Sequence, residues 1–316
     1  MTVRGVNKLC VVGAGAVGSS LAYASLIKGV AREVVLHDVN GPKVRAEALD
    51  MAHGSQFMPQ VRVSGSDDLE ITRGSDVVVI TAGAKQKPGE TRMDLAASTV
   101  GLMKKVVPPL VERSPEAIFL MVTNPVDVTT YAALKISGLP RNQLFGSGTV
   151  LDSSRLRYLV AEACQVAVGN VHAYIAGEHG DSEIPLWSSA TIGGVPLLDW
   201  ARQYGVLDEE MRDTIADQVV NAAYEVIAGK GATNHAIGLA GTRIIESVLR
   251  NEHRVLPVSS LVEDWYGITD VCLSVPTLVD RGGAGRQLRL PLTDGELGCM
   301  HESAQAIRHT LGTLGF

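Results

Sequence analysis

The sequence predicts an α/β fold, a doubly wound parallel sheet followed by an α+β domain. Three observations point there. Short apolar runs of buried-strand length alternate with helical patterns through the first half. A glycine-rich turn joins the first run to the first helix. After about residue 147 the pattern changes to short strands of antiparallel character and long helices. Alternation of strands and helices implies parallel strands joined by crossovers, with helices covering both faces.

In chain order, residues 8–12 read as a strand and are followed by a glycine-rich turn and a helix to about residue 28. Residues 33–38 are a second strand. The runs 76–83 and 117–125 are rich in Val, Ile and other apolar residues, as strands buried on both faces should be. Between them, 93–113 has helical periodicity, which the pair Pro108-Pro109 is expected to break. Residues 151–166 form a helix. The stretches 171–175 and 188–196 read as antiparallel strands, with Gly193-Gly194 as a hairpin turn. Helices follow at about 207–229 and 234–250, and strands near 254–262 and 271–279. A last helix starts at about Thr293, with Asp294 and Glu296 in its first turn, where they suit the dipole. Two lobes, 1–148 and 149–316, are expected to meet without a floppy linker.

Bulk properties narrow the function. The 316 residues are 46% hydrophobic and 20% charged, with a net charge of −6, as in an ordinary globular protein. The acidic balance argues against a nucleic-acid partner, whose phosphates call for a basic surface. Four scattered cysteines without a CxxC pair read as reduced thiols in a cytoplasmic protein. No leader-like segment opens the chain and no apolar stretch reaches membrane-spanning length, so no membrane partner is expected.

Val11-Val12-Gly13-Ala14-Gly15-Ala16-Val17-Gly18 places GxGxxG between a strand and a helix. Gly13 permits the tight turn, Gly15 lets backbone approach a pyrophosphate, and Gly18 lets helix pack on strand. The helix N-terminus offers free N–H groups to the anion. Asp38 ends the second strand 20 residues after Gly18. A carboxylate there accepts from both ribose hydroxyls and repels a 2′-phosphate, so the cofactor expected of this Rossmann-type unit is NAD.

A second constellation carries chemistry. His179 lies in Gly177-Glu178-His179-Gly180, and Asp152 and Arg155 are three apart on one predicted helix. A histidine titrating near neutrality exchanges one proton with an alcohol or ketone. A buried carboxylate orients the ring, and a guanidinium grips a carboxylate through two parallel hydrogen bonds. These are the parts that oxidation of a 2-hydroxy acid requires. Plainer roles remain open for each group taken singly. Arg92 could be a solvated residue at a helix start, Asn124 a turn before Pro125, and Asp152 a helix cap.

GAGAVG at 13–18, ITAGAKQKPGETR at 80–92, VTNPVD at 122–127, GSGTVLDSSR at 146–155, GEHGDSE at 177–183 and KGATNHAIG at 230–238 carry a likeness that extends over nearly the whole chain. In this combination the sequence resembles the L-lactate and malate dehydrogenase family. The resemblance implies that His179 protonates the carbonyl of a 2-keto acid, that Asp152 holds its other ring nitrogen, and that Arg155 clamps the substrate carboxylate. Arg92 polarises the carbonyl and Asn124 hydrogen-bonds the reacting oxygen. The implied cofactor contacts are Gly13, Gly15, Ala16, Val17, Gly18, Asp38, Lys43, Gly83, Ala84, Val122, Asn124, Ser147 and Ile237. Ser147 holds the carboxamide and Ile237 packs on the nicotinamide ring.

Within the resemblance, Gln86 favours the lactate branch, where the substrate pair is pyruvate and lactate. The malate branch carries arginine there for a second carboxylate, and burying that charge unpaired costs several kcal/mol. Thr233 is the second position facing the substrate's third carbon. Asn234-His235 departs from the aromatic pair common in relatives, which leaves the pocket's tolerance for larger keto acids open. Arg157 sits two residues from Arg155, about 200° around the helix, and so faces away from the substrate. The resemblance matches Arg157 and His172 to a fructose 1,6-bisphosphate site of bacterial relatives on a subunit interface, implying an allosteric homotetramer. No metal is implied, because His, Asp and Glu are not clustered at ligand spacing and proton transfer with Arg polarisation leaves a metal nothing to do. The rival readings are a malate dehydrogenase and a noncatalytic NAD-binding protein on the same fold.

Overall fold

Residues 7–83 and 92–316 are described by the computed structural model. Its first half holds β1 (Lys8–Val12), α1 (Ala16–Lys28), β2 (Glu33–His37), α2 (Gly41–His53), β3 (Arg62–Ser66), β4 (Val77–Ile80), α3 (Arg92–Arg113), β5 (Ile118–Met121), α4 (Val126–Ser137) and β6 (Leu144–Gly146). The six strands are parallel, in the order β3-β2-β1-β4-β5-β6. Alternate residues serve opposite layers. Leu9, Val11, Val34, Leu36, Val77 and Val79 join the core shared with α1 and α2. Cys10, Val12, Val35, Val78, Ile80 and Phe119 join the core shared with α3 and α4. Burial of both faces explains why these strands read as unbroken apolar runs.

Contrary to the expected break, α3 runs through Pro108 and Pro109 to Arg113. The two prolines remove the N–H groups that would bond the carbonyls of Lys104 and Lys105, and both lysines are exposed, so water can serve those carbonyls. Val107 and Leu110 on either side are fully buried, and that burial holds the helix together.

The second half holds α5 (Val150–Cys164), β7 (Val171–His172), β8 (Ile175–Gly177), β9 (Glu183–Pro185), β10 (Thr191–Ile192), β11 (Val195–Pro196), α6 (Leu197–Tyr204), α7 (Glu209–Lys230), α8 (His235–Leu249), β12 (Arg254–Val262), β13 (Val271–Asp280), β14 (Gly283–Gln287) and α9 (Asp294–Thr313). The expected single strand at 171–175 is two strands in different sheets. β7 pairs with β10, whereas β8 pairs with β9 and β13. The hairpin at Gly193-Gly194 forms as expected, with φ of 58° and 87° at the two glycines. Thr293 and Glu296 close a capping box at the start of α9.

The long pair β12–β13 positions the site. Ser259 of β12 meets Gly146 at the end of β6, and Ser274 of β13 meets Gly177 at the end of β8. One sheet therefore continues from the parallel strands to the segment that carries His179. The start of α5 is bolted to the same place. Thr149 Oγ1 donates to the Ile175 carbonyl at 2.6 Å, and Ser153 Oγ accepts from the Ile175 N–H at 2.8 Å.

Candidate active site

The turn after β1 has the geometry of a dinucleotide cradle. Gly13 adopts φ +104°, which side chains disfavour, and a Cβ at Gly18 would lie 1.9 Å from the Gly13 carbonyl oxygen. A Cβ at Gly15 would meet nothing within 4 Å, so backbone there is open to a phosphate. Gly15 precedes the first turn of α1. Asp38 is fixed by two backbone donors, Ala14 N–H at 2.7 Å and Asn40 N–H at 2.9 Å. That ties the acidic residue to the glycine turn while leaving lone pairs for ribose hydroxyls, so these residues fit NAD.

Several other expected cofactor contacts lie at the ends of neighbouring strands and at the start of α1. Ala16 and Val17 open α1, and Gly83 follows β4. Val122 and Asn124 follow β5, and Ser147 follows β6 with its N–H bonded to the Met121 carbonyl at 2.8 Å. All of these strand ends are carboxyl ends of parallel strands, where ligands of such sheets bind. Asn124 precedes Pro125 through a cis peptide bond and its side chain is exposed. Ile237, in the first turn of α8, packs against the α1 side of the core. Asn234 Nδ2 donates to Ser20 Oγ at 2.8 Å, which fastens the start of α8 to α1 near Thr233. Lys43 is exposed at the start of α2, with its backbone N–H capped by Asn40. Ala84, Gln86 and the side chain of Arg92 lie outside the described residues.

A second cluster brings His179, from the loop after β8, to Asp152 and Arg155 of α5. His179 Nδ1 and Asp152 Oδ2 are 2.6 Å apart, and Arg155 Nη1 donates to Asp152 Oδ1 at 2.7 Å. Asp152 is fully buried, while the imidazole is about 25% exposed and so reachable. The helix-cap role considered for Asp152 is not what it does, since both carboxylate oxygens serve side chains. Arg155 shares the face expected of it, but one of its nitrogens is already committed to Asp152. A fork toward a ligand must use its remaining donors.

Two groups that sequence reasoning passed over complete the cluster. Asp127 of α4 is buried and accepts the backbone N–H of His179 at 2.8 Å, which holds the loop after β8 in place. Glu183 opens β9 and brings a carboxyl oxygen to within 4.8 Å of ligand atoms of His179 and Asp152. Both residues lie inside motifs already singled out, VTNPVD and GEHGDSE, and an acidic residue closing each motif was the available signal. This cluster also corrects the view that no His, Asp and Glu gather at ligand spacing. They do so in space, though the closest pair of atoms is already joined by a hydrogen bond.

The electrostatics follow from burial and charge. Burial works against the imidazolium of His179, but the adjacent Asp152 carboxylate, with Asp127 and Glu183 beyond it, outweighs this and raises its pKa to about 9. Burial also works against the Asp152 anion, yet His179 and Arg155 hold its carboxyl below the usual range. Asp127 is pushed up to about 6 by burial, against the pull of Ser259 and the His179 N–H. The site therefore holds a protonated ring beside a fixed anion at neutral pH, a proton donor poised at an open face.

The expected effector residues lie on the far side of α5. Arg157 Nε donates to the Ala173 carbonyl at 2.8 Å, and its guanidinium sits 5.1 Å over the Tyr174 ring. His172 is exposed on β7 beside them.

Comparison with known proteins matches residues 7–146 to the family model "lactate/malate dehydrogenase, NAD binding domain" and residues 149–313 to "lactate/malate dehydrogenase, alpha/beta C-terminal domain". The chain is 54% identical over 312 residues to an L-lactate dehydrogenase of Bifidobacterium animalis subsp. lactis, covering 98% of each chain. It is 44% identical over 310 residues to an L-lactate dehydrogenase of Acetivibrio thermocellus, again covering 98% of each. Among solved structures it is similar to the minor L-lactate dehydrogenase of Enterococcus mundtii in ligand-bound form. That match has a TM-score of 0.94 and 39% identity, and covers 97% of this chain and 98% of the other.

Proposed function

This chain belongs to the lactate/malate dehydrogenase family, and from that premise we propose how its residues carry an NAD-dependent L-lactate dehydrogenase activity, the interconversion of pyruvate and (S)-lactate. The observation that supports the assignment best is the 2.6 Å contact between His179 Nδ1 and Asp152 Oδ2, with Arg155 on the other carboxylate oxygen. NAD, when bound in the cradle of Gly13, Gly15, Gly18 and Asp38, supplies or accepts the hydride.

The chain's own groups do the rest. Arg155 grips the substrate carboxylate with the donors that Asp152 leaves free. Protonated His179 gives a proton from Nε2 to the keto oxygen during reduction and takes it back during oxidation. Asp152 holds Nδ1–H, which fixes the tautomer and stabilises the imidazolium. Arg92 and Asn124 stabilise charge on the reacting oxygen. Ser147 and Ile237 position the cofactor's carboxamide and ring face, and Thr233 closes the pocket around the substrate methyl. A noncatalytic NAD-binding protein would need none of His179, Asp152, Arg155 or Arg92.

Gln86 selects pyruvate over oxaloacetate by charge balance in a closed cavity. A neutral amide leaves a second carboxylate unpaired, at a cost of several kcal/mol. Assays of NADH oxidation with the two keto acids test both the activity and this choice. Pyruvate is the preferred substrate, and Gln86→Arg raises kcat/KM for oxaloacetate relative to pyruvate by about 100-fold or more, as ~3 kcal/mol implies. An unchanged ratio would remove the charge-balance argument, and no turnover of pyruvate by the native chain would remove the activity.

We further propose a division at residue 148 into an NAD-binding domain (1–148) and a substrate domain (149–316), which the two matched family models support. A homotetramer activated by fructose 1,6-bisphosphate is the proposed assembly. Arg157 and His172 would receive a phosphate, and binding would be coupled reciprocally to pyruvate. The tie between Arg157 and the residue after His172 favours such a basic patch. The activator lowers the half-saturating pyruvate concentration in the native protein and loses this effect in Arg157→Gln. A pyruvate saturation curve indifferent to the bisphosphate at several pH values argues against it. No described helix is long and apolar enough to cross a membrane. Four cysteines without a disulfide partner support a cytoplasmic location.

A further inference from the structure

Glu183 has no part in the mechanism above, yet it stands against the centre of it. A carboxyl oxygen of this residue lies within 4.8 Å of the ligand atoms of both Asp152 and His179. Its Oε1 is buried and has no hydrogen-bond donor among the described residues. As a carboxylate, that oxygen would be a buried acceptor left unmatched, close to a second anion. Both penalties vanish if Glu183 carries a proton, because Asp152 can then accept from it.

The surroundings decide which carboxyl takes the proton. Asp152 is the fixed anion, held by Arg155 Nη1 at 2.7 Å and His179 Nδ1 at 2.6 Å. Among the described residues Glu183 has no such cation of its own. Among the described residues the other titratable groups near it are Glu178 and Asp181 in the loop between β8 and β9, Asp127 of α4 behind His179, and Tyr224 of α7, which donates to Asp181. From α9, Ser303 accepts the Glu178 N–H and adds no charge.

We propose that Glu183 is a positioning residue for the proton-transfer pair, a neutral carboxylic acid at working pH that donates a hydrogen bond to Asp152 and so fixes the carboxylate that orients His179. The inference deepens the proposed function and rests on it. Burial and the Asp152 charge, opposed by His179 and Arg155, raise the Glu183 pKa to about 8, in keeping with this state. Above that pH the ionised residue adds a second anion beside the imidazolium and delays loss of its proton. Glu183 thus extends the alkaline range of reduction.

The test compares Glu183→Gln with Glu183→Ala in the full-length protein. Alanine removes a hydrogen bond to a charged group and lowers kcat/KM for pyruvate about tenfold. Glutamine keeps a neutral donor and recovers most of that loss at pH 6.5, but it cannot ionise. Its alkaline limb therefore falls about one pH unit earlier than that of the native enzyme. Infrared spectra of the free protein at pH 7 show a protonated carboxyl band that is absent from Glu183→Gln. The inference is overturned if glutamine is no better than alanine, if the alkaline limb does not move, or if no acid band disappears. Failure of the native chain to reduce pyruvate would instead overturn the proposed function, and the infrared comparison, made without substrate, separates the two.

Discussion

Replacing His179 by Asn lowers kcat for pyruvate reduction by about 10³- to 10⁴-fold, while NADH still binds. The loss is large because the neighbouring groups do not take the ring's place, the proton of Glu183 being held toward Asp152. Asp152 is fully buried and anionic, and the guanidinium of Arg155 is bound to it. Nothing in the substitution disturbs the cradle at Gly13, Gly15 and Gly18, which lies on other elements. The check is paired, with steady-state turnover of pyruvate alongside a fluorescence titration of NADH. A variant retaining more than a tenth of native kcat would show that the proton comes from elsewhere, and the catalytic assignment would be lost.

Asp152→Asn is the second large effect, and it works through the histidine. The carboxylate is the main charge holding the His179 pKa at about 9 against burial. With that charge gone, burial is opposed far less, and the imidazole pKa drops to or below its ordinary value near 6.5. The raised pKa keeps the ring protonated at all pH values below about 9, and reduction needs that protonated form. In the variant the proton is lost as pH rises through a value at least two units lower. The amide can also offer Nδ1 a donor and stabilise the wrong tautomer, while Arg155 loses its anionic partner. At pH 7.5, kcat/KM for pyruvate falls about 10²- to 10³-fold. Lowering the pH to 5.5 recovers part of that loss relative to the native enzyme. A pH profile whose alkaline limb stays near 9 would show that Asp152 does not govern the histidine.

Much of the architecture was legible because it is local. β1 and the β2 run announce themselves as apolar segments of the right length, and GxGxxG needs only neighbours in sequence to define its turn. The hairpin at Gly193-Gly194 and the helix start near Thr293 are equally short-range. What misled was local too. Pro108-Pro109 carries a strong breaking signal, overruled by the burial of Val107 and Leu110 against a sheet that the helix sequence does not mention. The run at 171–175 has strand character throughout, but only the positions of β10 and β13 assign its two ends to different sheets.

The site divides along the same line. The amino-acid sequence by itself determined the residue types that hydride and proton exchange require, namely the cradle glycines, Asp38, His179, Asp152 and Arg155, since their identities and spacings are chemical facts independent of distance through space. Only the tertiary structure decided how these groups charge one another. It set Asp127 under the His179 backbone, gave one nitrogen of Arg155 to Asp152, and brought Glu183 to the same pair. The reason is that protonation depends on separations of a few ångströms and on exclusion of water. Both arise when β6, β8, β12 and β13 close into one sheet, joining segments more than a hundred residues apart.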